Sequence, residues 1–168
     1  MVGPFKTGRS GFTRLLVAVD KFTKWIEAKP IKNLDSRTAI SFIRELIFRY
    51  GVPHSIITDN GSNFDSDEFR MFCASQGTQV DYASVAHPQS NGQAERANGL
   101  IHQGLKPRLM RDLEHVAGTW VTELPSVLWG LRMTPNRSTD RTPFFMVYGA
   151  EVVLPCDLFH KAPRVEVY

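Results

Sequence analysis

Two acidic residues at the ends of predicted secondary-structure elements constrain the fold of this chain more than any other feature. Asp59 directly follows three apolar or β-branched residues, which are typical of the end of a buried strand. Glu95 lies near the start of a predicted helix, which the capping-box spacing of Ser90 and Gln93 indicates. Thirty-five residues separate Asp59 from Glu95. Because strand ends and helix starts can face one cleft, we expect the two carboxylates to form a site for a divalent metal ion.

Each carboxylate also has a simpler interpretation, which the sequence leaves open. Asp59 is followed by Asn60 and Gly61, and such a sequence often opens a turn that needs no ligand. Glu95 shares its helix face with small polar residues, as on many solvent-exposed helices. These neighbours are Asn91, Asn98, Gly99 and His102. A small polar face also suits the close approach of a nucleic-acid backbone.

The order of the predicted elements indicates an α/β fold with a mixed sheet and helices on both of its faces. A hairpin comes first, followed by alternating helices and strands and then by helices alone. The predicted strands cover residues 11–19, 22–28, 54–58 and 78–82, and the predicted helices begin near residues 37, 65, 91 and 117. Asp35 or Ser36 is expected to cap the first helix, and Pro107 to end or kink the third. Residues 134–168 are proline-rich and show little periodicity.

The distribution of charge favours nucleic acid as a partner. The chain has 168 residues, a net charge of +3 and 42% hydrophobic residues, which suits one globular domain. Residues 1–58 carry ten Lys or Arg and four Asp or Glu, whereas residues 59–86 carry one Lys or Arg and five Asp or Glu. An acidic segment between basic ones fits a metal-binding cleft beside a phosphate-binding surface, although an ordinary mixed surface gives similar counts.

The cysteines and the hydropathy pattern argue against several classes of protein. Cys73 and Cys156 have no second Cys or His at ligand spacing, so a zinc site is not expected. Two isolated thiols suit a reducing compartment, and Cys73 lies in an apolar helical stretch that is expected in the core. The sequence contains no stretch long enough to span a membrane, and its start does not resemble a signal peptide.

The helix that carries Glu95 also supplies the candidate contacts to nucleic acid. Arg96 is the strongest candidate, because it adjoins Glu95 and its side chain suits phosphate. The full set is Asn91, Gln93, Arg96, Asn98, His102 and Lys106. Each of these is also an ordinary surface residue when taken alone. By contrast, Trp25, Trp120 and Trp129 lie in periodic apolar runs and are expected in the core rather than stacked on bases.

Two longer motifs resemble the integrase catalytic core of retroviruses and LTR retrotransposons. Residues 57–64 read ITDNGSNF, and residues 87–98 read HPQSNGQAERAN. Residues 17–25, VAVDKFTKW, and residues 142–149, TPFFMVYG, are most similar to the gypsy-type elements of that group, especially those of plants. The resemblance covers essentially residues 1–160.

The resemblance implies an RNase H-like fold with a mixed five-stranded sheet and a catalytic triad of the D,D(35)E type. Asp59 matches the second Asp of that triad and Glu95 matches its Glu, and together they would bind Mg²⁺ or Mn²⁺. The implied activity is polynucleotidyl transfer that inserts element DNA into target DNA, through 3′-end processing and strand transfer. The implied domain covers residues 1–160, and residues 161–168 form a tail.

The sequence departs from the family pattern in two places. The family's first Asp precedes residues that resemble Met1–Phe5, so we expect a truncated first strand and no activity in this chain as given. Asp20 is not a substitute, because it belongs to the turn of the hairpin. Retroviral cores often carry lysines four and seven residues after the Glu, where this chain has Gly99 and His102. The alternative interpretation is a non-catalytic DNA-binding or interaction domain from a decayed or domesticated integrase.

The resemblance also implies partners and a location. The partners are DNA, as element ends and as target, and further copies of the chain in a homodimer or a higher oligomer. The implied location is the nucleus, and no membrane partner is expected.

Overall fold

Two small sheets and five α-helices make up the part of the chain that the computed structural model describes, which is residues 3–58, 63–82, 92–111, 119–154 and 157. The strands are β1 (Arg14–Val19), β2 (Ile26–Ile31), β3 (Ser55–Thr58) and β4 (Gln79–Tyr82). The helices are α1 (Ser36–Tyr50), α2 (Asp67–Ser75), α3 (Gly92–Arg111), α4 (Trp120–Met133) and α5 (Pro143–Tyr148). A short 3-10 helix, Arg9–Gly11, precedes β1. The order of strands and helices confirms the predicted α/β class.

The strands form one antiparallel and one parallel pair. β1 and β2 make an antiparallel hairpin in which Arg14 lies opposite Ile31. β3 and β4 are parallel, with Thr58 opposite Tyr82, and the chain crosses between them through α2. Within the described residues these pairs are two separate sheets rather than the single five-stranded sheet that the family resemblance implies.

β2 begins at Ile26 rather than at the predicted Phe22, because hydrogen bonds hold the intervening residues in the loop between β1 and β2. The carboxylate of Asp20 accepts hydrogen bonds from Thr23 N at 2.6 Å and from Thr23 Oγ1 at 2.7 Å. The backbone N–H of Asp20 donates to the carbonyl of Trp25 at 2.9 Å. The side chain of Asp20 is therefore engaged within the loop, which agrees with its expected place in a turn.

The ends of the helices confirm one sequence prediction and narrow another. Asp35 caps α1, because its carboxylate accepts a hydrogen bond from Thr38 N at 2.7 Å. Of the two effects expected of Pro107, an end or a kink, the end is excluded, since α3 continues to Arg111. Proline removes one backbone hydrogen bond, but the apolar face of α3 is buried against α4, and that burial offsets the loss. No helix in the described ranges is both long and apolar enough to cross a membrane.

The proline-rich segment that begins at residue 134 contains a helix, α5, that weak periodicity does not indicate. Thr142 caps it by accepting a hydrogen bond from Phe145 N at 2.9 Å, and Pro143 occupies the first turn. Gly149 ends the helix with φ of 76°. This arrangement of Thr, Pro and Gly is the usual signal for the two ends of a short helix.

Adjacent residues of β1 point into two separate cores, one on each face of the strand. Leu15 is fully buried on the side of α3 and α4, and Leu16 is buried on the side of α1 and α2. Successive side chains of a strand face opposite ways, so β1 is covered by helices on both faces, as predicted. Cys73 is buried in the second core, which confirms its predicted position.

The tryptophans do not all occupy the predicted positions. Trp25 and Trp120 are buried, as expected, but Trp129 is 48% exposed, so that prediction is wrong. The buried side of α4 contains Leu124 and Leu128. Trp129 follows Leu128 and is therefore turned about 100° away from that side.

Glu27 is a buried acid that joins β2 to α1 and α4. Its Oε1 atom accepts hydrogen bonds from Trp25 Nε1 at 3.0 Å and from Tyr50 Oη at 2.5 Å. It also forms ion pairs with Arg49 at 3.2 Å and with Arg132 at 3.1 Å. The guanidinium of Arg132 lies 4.4 Å from the centre of the Trp25 ring, which adds a cation–π contact.

This network shifts the pKa of two of its members. Burial disfavours the ionised form of Glu27, but hydrogen bonds from Tyr50 and Trp25 and the charges of Arg132 and Arg49 outweigh burial, so the pKa of Glu27 is lowered. Burial and the contact with Glu27 raise the pKa of Tyr50 to about 12. Glu27 is therefore a carboxylate and Tyr50 a neutral donor at neutral pH.

Adding a methyl group at Gly104 is expected to destabilise the packing of α3 on α4. A Cβ atom at Gly104 would lie 2.6 Å from Cγ1 of Val127, a stiff side chain in the core. We expect Gly104→Ala to lower the free energy of unfolding by about 1 kcal/mol, since overpacking of about 2 kcal/mol exceeds the helix-propensity gain of about 1 kcal/mol. Denaturant unfolding measures the change. Gly99→Ala is the matched control, because a Cβ there meets nothing within 4 Å, and it is expected to stabilise the chain by about 1 kcal/mol.

Candidate functional site

Glu95 lies on the outward side of the first turn of α3, where it is exposed. The other side of α3 holds the helix in place, because Ala97, Ile101 and Leu105 are buried with Leu15 of β1 and with residues of α4. Ala97 is two residues beyond Glu95 and therefore points about 200° away around the helix axis. Burial of Ala97 thus directs Glu95 outward. No ion pair to Glu95 is present among the described residues, so its carboxylate is accessible to a cation.

The strand that precedes Asp59 ends where it was predicted to end. Thr58 is the last residue of β3 and is 7% exposed. Asp59 is the next residue of the chain and lies outside the described residues, as does Asn91. Of the two predicted metal ligands, the described residues therefore include Glu95 alone.

Gln93 is engaged within the protein rather than extended toward solvent. It lies in the first turn of α3, and its Oε1 atom accepts a hydrogen bond from Lys24 Nζ at 3.3 Å in a partly buried contact. Lys24 belongs to the loop between β1 and β2. No pattern in the sequence indicates this contact, because 69 positions separate the two residues.

The remaining polar residues of α3 differ in accessibility. Arg96 is exposed beside Glu95, which suits its predicted contact with phosphate. Asn98 is only partly exposed, and its Oδ1 atom is enclosed without a hydrogen-bond donor in the described part of the chain. Lys106 lies within α3, but its side chain is outside the described set.

His102 packs against the segment that precedes β1. Its ring is stacked on Phe5 with centroids 5.0 Å apart, and Phe5 stacks in turn on Trp120 at 4.7 Å. Trp120 Nε1 donates a hydrogen bond to the carbonyl of Lys6 at 2.8 Å. His102 is nevertheless exposed, so its other surface is available to a ligand. The aromatic stack fixes the start of the chain against α3 and α4.

The donor chemistry on α3 fits a hard divalent cation. Glu95 offers carboxylate oxygen, which is the ligand type that Mg²⁺ and Mn²⁺ take in proteins. Within the described residues, no group of three or more His, Cys, Asp or Glu side chains comes together. Asp59, the other predicted ligand, lies outside the described residues.

Comparison with known families identifies the chain. Residues 1–88, which are more than half of the 168 residues, match the family described as integrase core domain. The chain belongs to the integrase core domain family. The matched residues of this integrase core include the β1–β2 hairpin, β3 and Asp59, whereas Glu95 lies beyond them.

Relatives of the integrase core are found in retroviral polyproteins. This core is 35% identical over 144 residues to the Gag-Pol polyprotein of Avian reticuloendotheliosis virus, and the match covers 85% of the chain and 12% of that protein. It is 36% identical over 148 residues to the Pol polyprotein of Radiation murine leukemia virus (strain Kaplan), covering 86% of the chain and 24% of that protein. The integrase core thus spans less than a quarter of the length of these relatives.

Solved integrase structures share the fold of this core. The simian T-cell lymphotropic virus intasome, in complex with the PP2A regulatory subunit B56 gamma, gives a TM-score of 0.72 at 23% identity, over 92% of this chain and 59% of that one. The HTLV-2 integrase catalytic core domain in complex with magnesium, in a dimeric form, gives a TM-score of 0.64 at 27% identity. The match covers 80% of this chain and 83% of that one. A trimeric form of that domain gives a TM-score of 0.67 at 23% identity, over 88% of this chain and 100% of that one. The predicted RNase H-like integrase fold is confirmed.

Proposed function

We propose that this core serves metal-dependent polynucleotidyl transfer, by which element DNA is inserted into target DNA, with Asp59 and Glu95 acting together with the family's first Asp. Membership of the integrase core domain family carries the proposal. The exposed carboxylate of Glu95, on a helix whose other side is anchored in the core, supports it. We further propose that the source is a gypsy-type LTR retrotransposon, of a plant, on the motifs at residues 17–25 and 142–149.

Asp59 and Glu95 are the proposed metal ligands, with Mg²⁺ or Mn²⁺ as the metal. When bound, such ions activate the attacking hydroxyl and stabilise the leaving oxygen of a phosphodiester. Glu95 would hold the metal from the start of α3, where the helix dipole favours a nearby DNA phosphate. Arg96, exposed beside Glu95, would contact that phosphate and so place the scissile bond near the carboxylates.

A backbone hydrogen bond supports a further strand beside β1. Phe5 N donates to the carbonyl of Thr13 at 2.7 Å, while Thr13 N donates to the carbonyl of Ile31 in β2 at 3.1 Å. The segment around Phe5 therefore pairs with Thr13, the residue that precedes β1. We propose that a strand running back from Phe5 joins the two sheets into one. This arrangement would complete the five-stranded sheet that the family resemblance implies.

The remaining proposals concern domain limits, assembly and location. We assign residues 1–160 to the core and residues 161–168 to a tail. DNA is the proposed partner, and a homodimer or higher oligomer is the proposed assembly, since HTLV-2 cores are known in dimeric and trimeric forms. The proposed location is the nucleus, where target DNA lies.

Binding of the core to duplex DNA is expected to be weak, largely independent of sequence and strongly dependent on salt. The reason is that Lys and Arg contacts to phosphate release counterions. Fluorescence anisotropy with a labelled duplex, between about 50 mM and 200 mM salt, is expected to show at least a tenfold loss of affinity. An affinity that stays constant across this range contradicts the proposed phosphate contacts.

Arg96→Ala tests where DNA binds. We expect it to weaken binding several-fold. It is also expected to reduce the slope of log affinity against log salt concentration by about the amount that one phosphate contact contributes. Arg137→Ala is the matched control, because Arg137 is exposed but lies in the turn that follows α4. Equal effects of the two substitutions would place DNA elsewhere on the surface.

A further inference from the structure

Lys24 has a backbone conformation that lysine rarely adopts. It lies in the loop between β1 and β2 with φ of 63°, in the left-handed region that glycine occupies without strain. Its backbone N–H donates to the carbonyl of Asp20 at 3.0 Å, which closes the loop. Because glycine would fit this backbone better, the lysine side chain is expected to make a contribution that glycine lacks.

The ammonium group of Lys24 is held between two elements. It donates one hydrogen bond to the carbonyl of Lys21, in the same loop, and another to Gln93 Oε1 at 3.3 Å. An ammonium has only donors, so two oxygen acceptors in different elements fix its position. Gln93 lies two residues before Glu95, so the contact reaches the turn of α3 that carries the acid.

The first turn of α3 receives little support from the core. Gln93, Glu95 and Arg96 are partly or fully exposed, and the first buried residue of α3 is Ala97. The N–H groups of a first helical turn also lack partners inside the helix, so this turn is prone to fraying. In the described residues, the contact between Lys24 and Gln93 is thus a polar link from the loop of the β1–β2 hairpin to this turn.

We propose that Lys24 is a positioning residue for Glu95, which it orients by holding Gln93 at the start of α3. The inference rests on the proposed function, in which Glu95 binds the metal. Groups that orient a metal ligand without touching the metal commonly change metal affinity about tenfold or more. Lys24 would act in this way on the affinity of the site for its cation.

The direction in which metal affinity changes when Lys24 is replaced distinguishes a positioning role from a simple effect of its charge. A positive charge near a metal site repels the cation, so removal of that charge alone would tighten metal binding. Removal of a positioning contact would weaken metal binding instead. Lys24→Gly removes both the charge and the contact while it relieves the strained φ, and Gln93→Leu removes the contact without changing charge.

The test is a Mn²⁺ titration of the isotope-labelled 168-residue chain, followed by paramagnetic broadening of amide NMR signals in α3. We expect Lys24→Gly and Gln93→Leu each to raise the Mn²⁺ dissociation constant about tenfold, and Lys24→Arg to restore most of the affinity. Lys21→Ala is the matched control. It removes a lysine charge from the same loop but keeps the carbonyl that Lys24 contacts, and its affinity is expected to match that of the unchanged chain or to be slightly higher.

The outcomes separate this inference from the proposed function. If Lys24→Gly binds Mn²⁺ as tightly as the unchanged chain, or more tightly, the positioning role is overturned. If Glu95→Gln leaves Mn²⁺ affinity unchanged, the metal site and the proposed function fail as well. Hydrogen exchange provides an independent readout: amides of the first turn of α3 are expected to exchange about tenfold faster in Lys24→Gly, while those near Ile101 and Leu105 stay protected. A uniform change along α3 would contradict the proposed local role.

Discussion

A polypeptide of these 168 residues is expected to show no strand transfer, and the same polypeptide extended by a strand that carries the family's first Asp is expected to gain activity. The reason is electrostatic. Two Mg²⁺ ions about 4 Å apart repel each other strongly and stay in place only when several carboxylates offset that repulsion. Asp59 and Glu95 supply two carboxylates, and the proposed strand beside β1 would supply the third.

Disintegration of a branched DNA substrate, which reverses strand transfer, is the suitable assay, because it requires less of the surrounding protein than full integration. We expect activity in the extended polypeptide to depend on Mg²⁺ or Mn²⁺ and to fall by at least a thousandfold in its Glu95→Gln variant, since loss of one metal ligand removes most of the transition-state stabilisation. Lys21→Ala in the same extended polypeptide is the control and is expected to retain activity.

Two results would change the assignment. Turnover by the unextended polypeptide would mean that another acid completes the site. Asp20 is the first to test, although its carboxylate is bonded to Thr23 within the loop. Inactivity of the extended polypeptide, with DNA binding intact, would favour the alternative of a non-catalytic DNA-binding domain.

Loss of the buried carboxylate of Glu27 is expected to produce the largest change in stability. Glu27→Ala leaves Arg132, which is mostly buried, without its ion-pair partner and removes the acceptor for Trp25 and Tyr50. Breaking such a buried pair costs about 3 kcal/mol, which corresponds to a fall of about 10 °C in Tm for a chain of this size. Thermal unfolding measures the change.

The control for Glu27 is an acid in a more exposed ion pair. Glu45 pairs with Lys29, and both side chains are more than one third exposed. Glu45→Ala is therefore expected to cost less than about 1 kcal/mol. Similar losses from Glu27→Ala and Glu45→Ala would show that the network around Glu27 contributes no more than a surface pair.

The lowered pKa of Glu27 also predicts how its contribution varies with pH. A carboxyl whose pKa is lower in the folded state stabilises the fold fully above its unfolded pKa, here about 4.5, and this stabilisation is lost as pH falls through the folded value. The difference in unfolding free energy between the unchanged chain and Glu27→Gln is thus expected to be constant near neutral pH and to shrink below about pH 4.5. A difference that does not change on acidification would contradict an ionised Glu27.

The sequence by itself determined several of the local elements and the family. Apolar periodicity and capping residues act over a few positions, so Asp35 as the cap of α1, the end of β3 at Thr58 and the start of α3 near Glu95 were all predictable. The motif around Asp59 likewise predicted an integrase core, because its residues are contiguous in the chain.

Only the tertiary structure decided features that depend on distant residues. Pro107 lies inside α3 because packing against α4 outweighs the local cost of proline, and Trp129 is exposed because the buried side of α4 contains other residues. Gln93, predicted to contact DNA, is bonded to Lys24 from 69 positions away. Glu27 gains its partners from three different elements. A linear pattern records the spacing of neighbours along the chain, whereas these contacts arise only when the hairpin and helices are brought together.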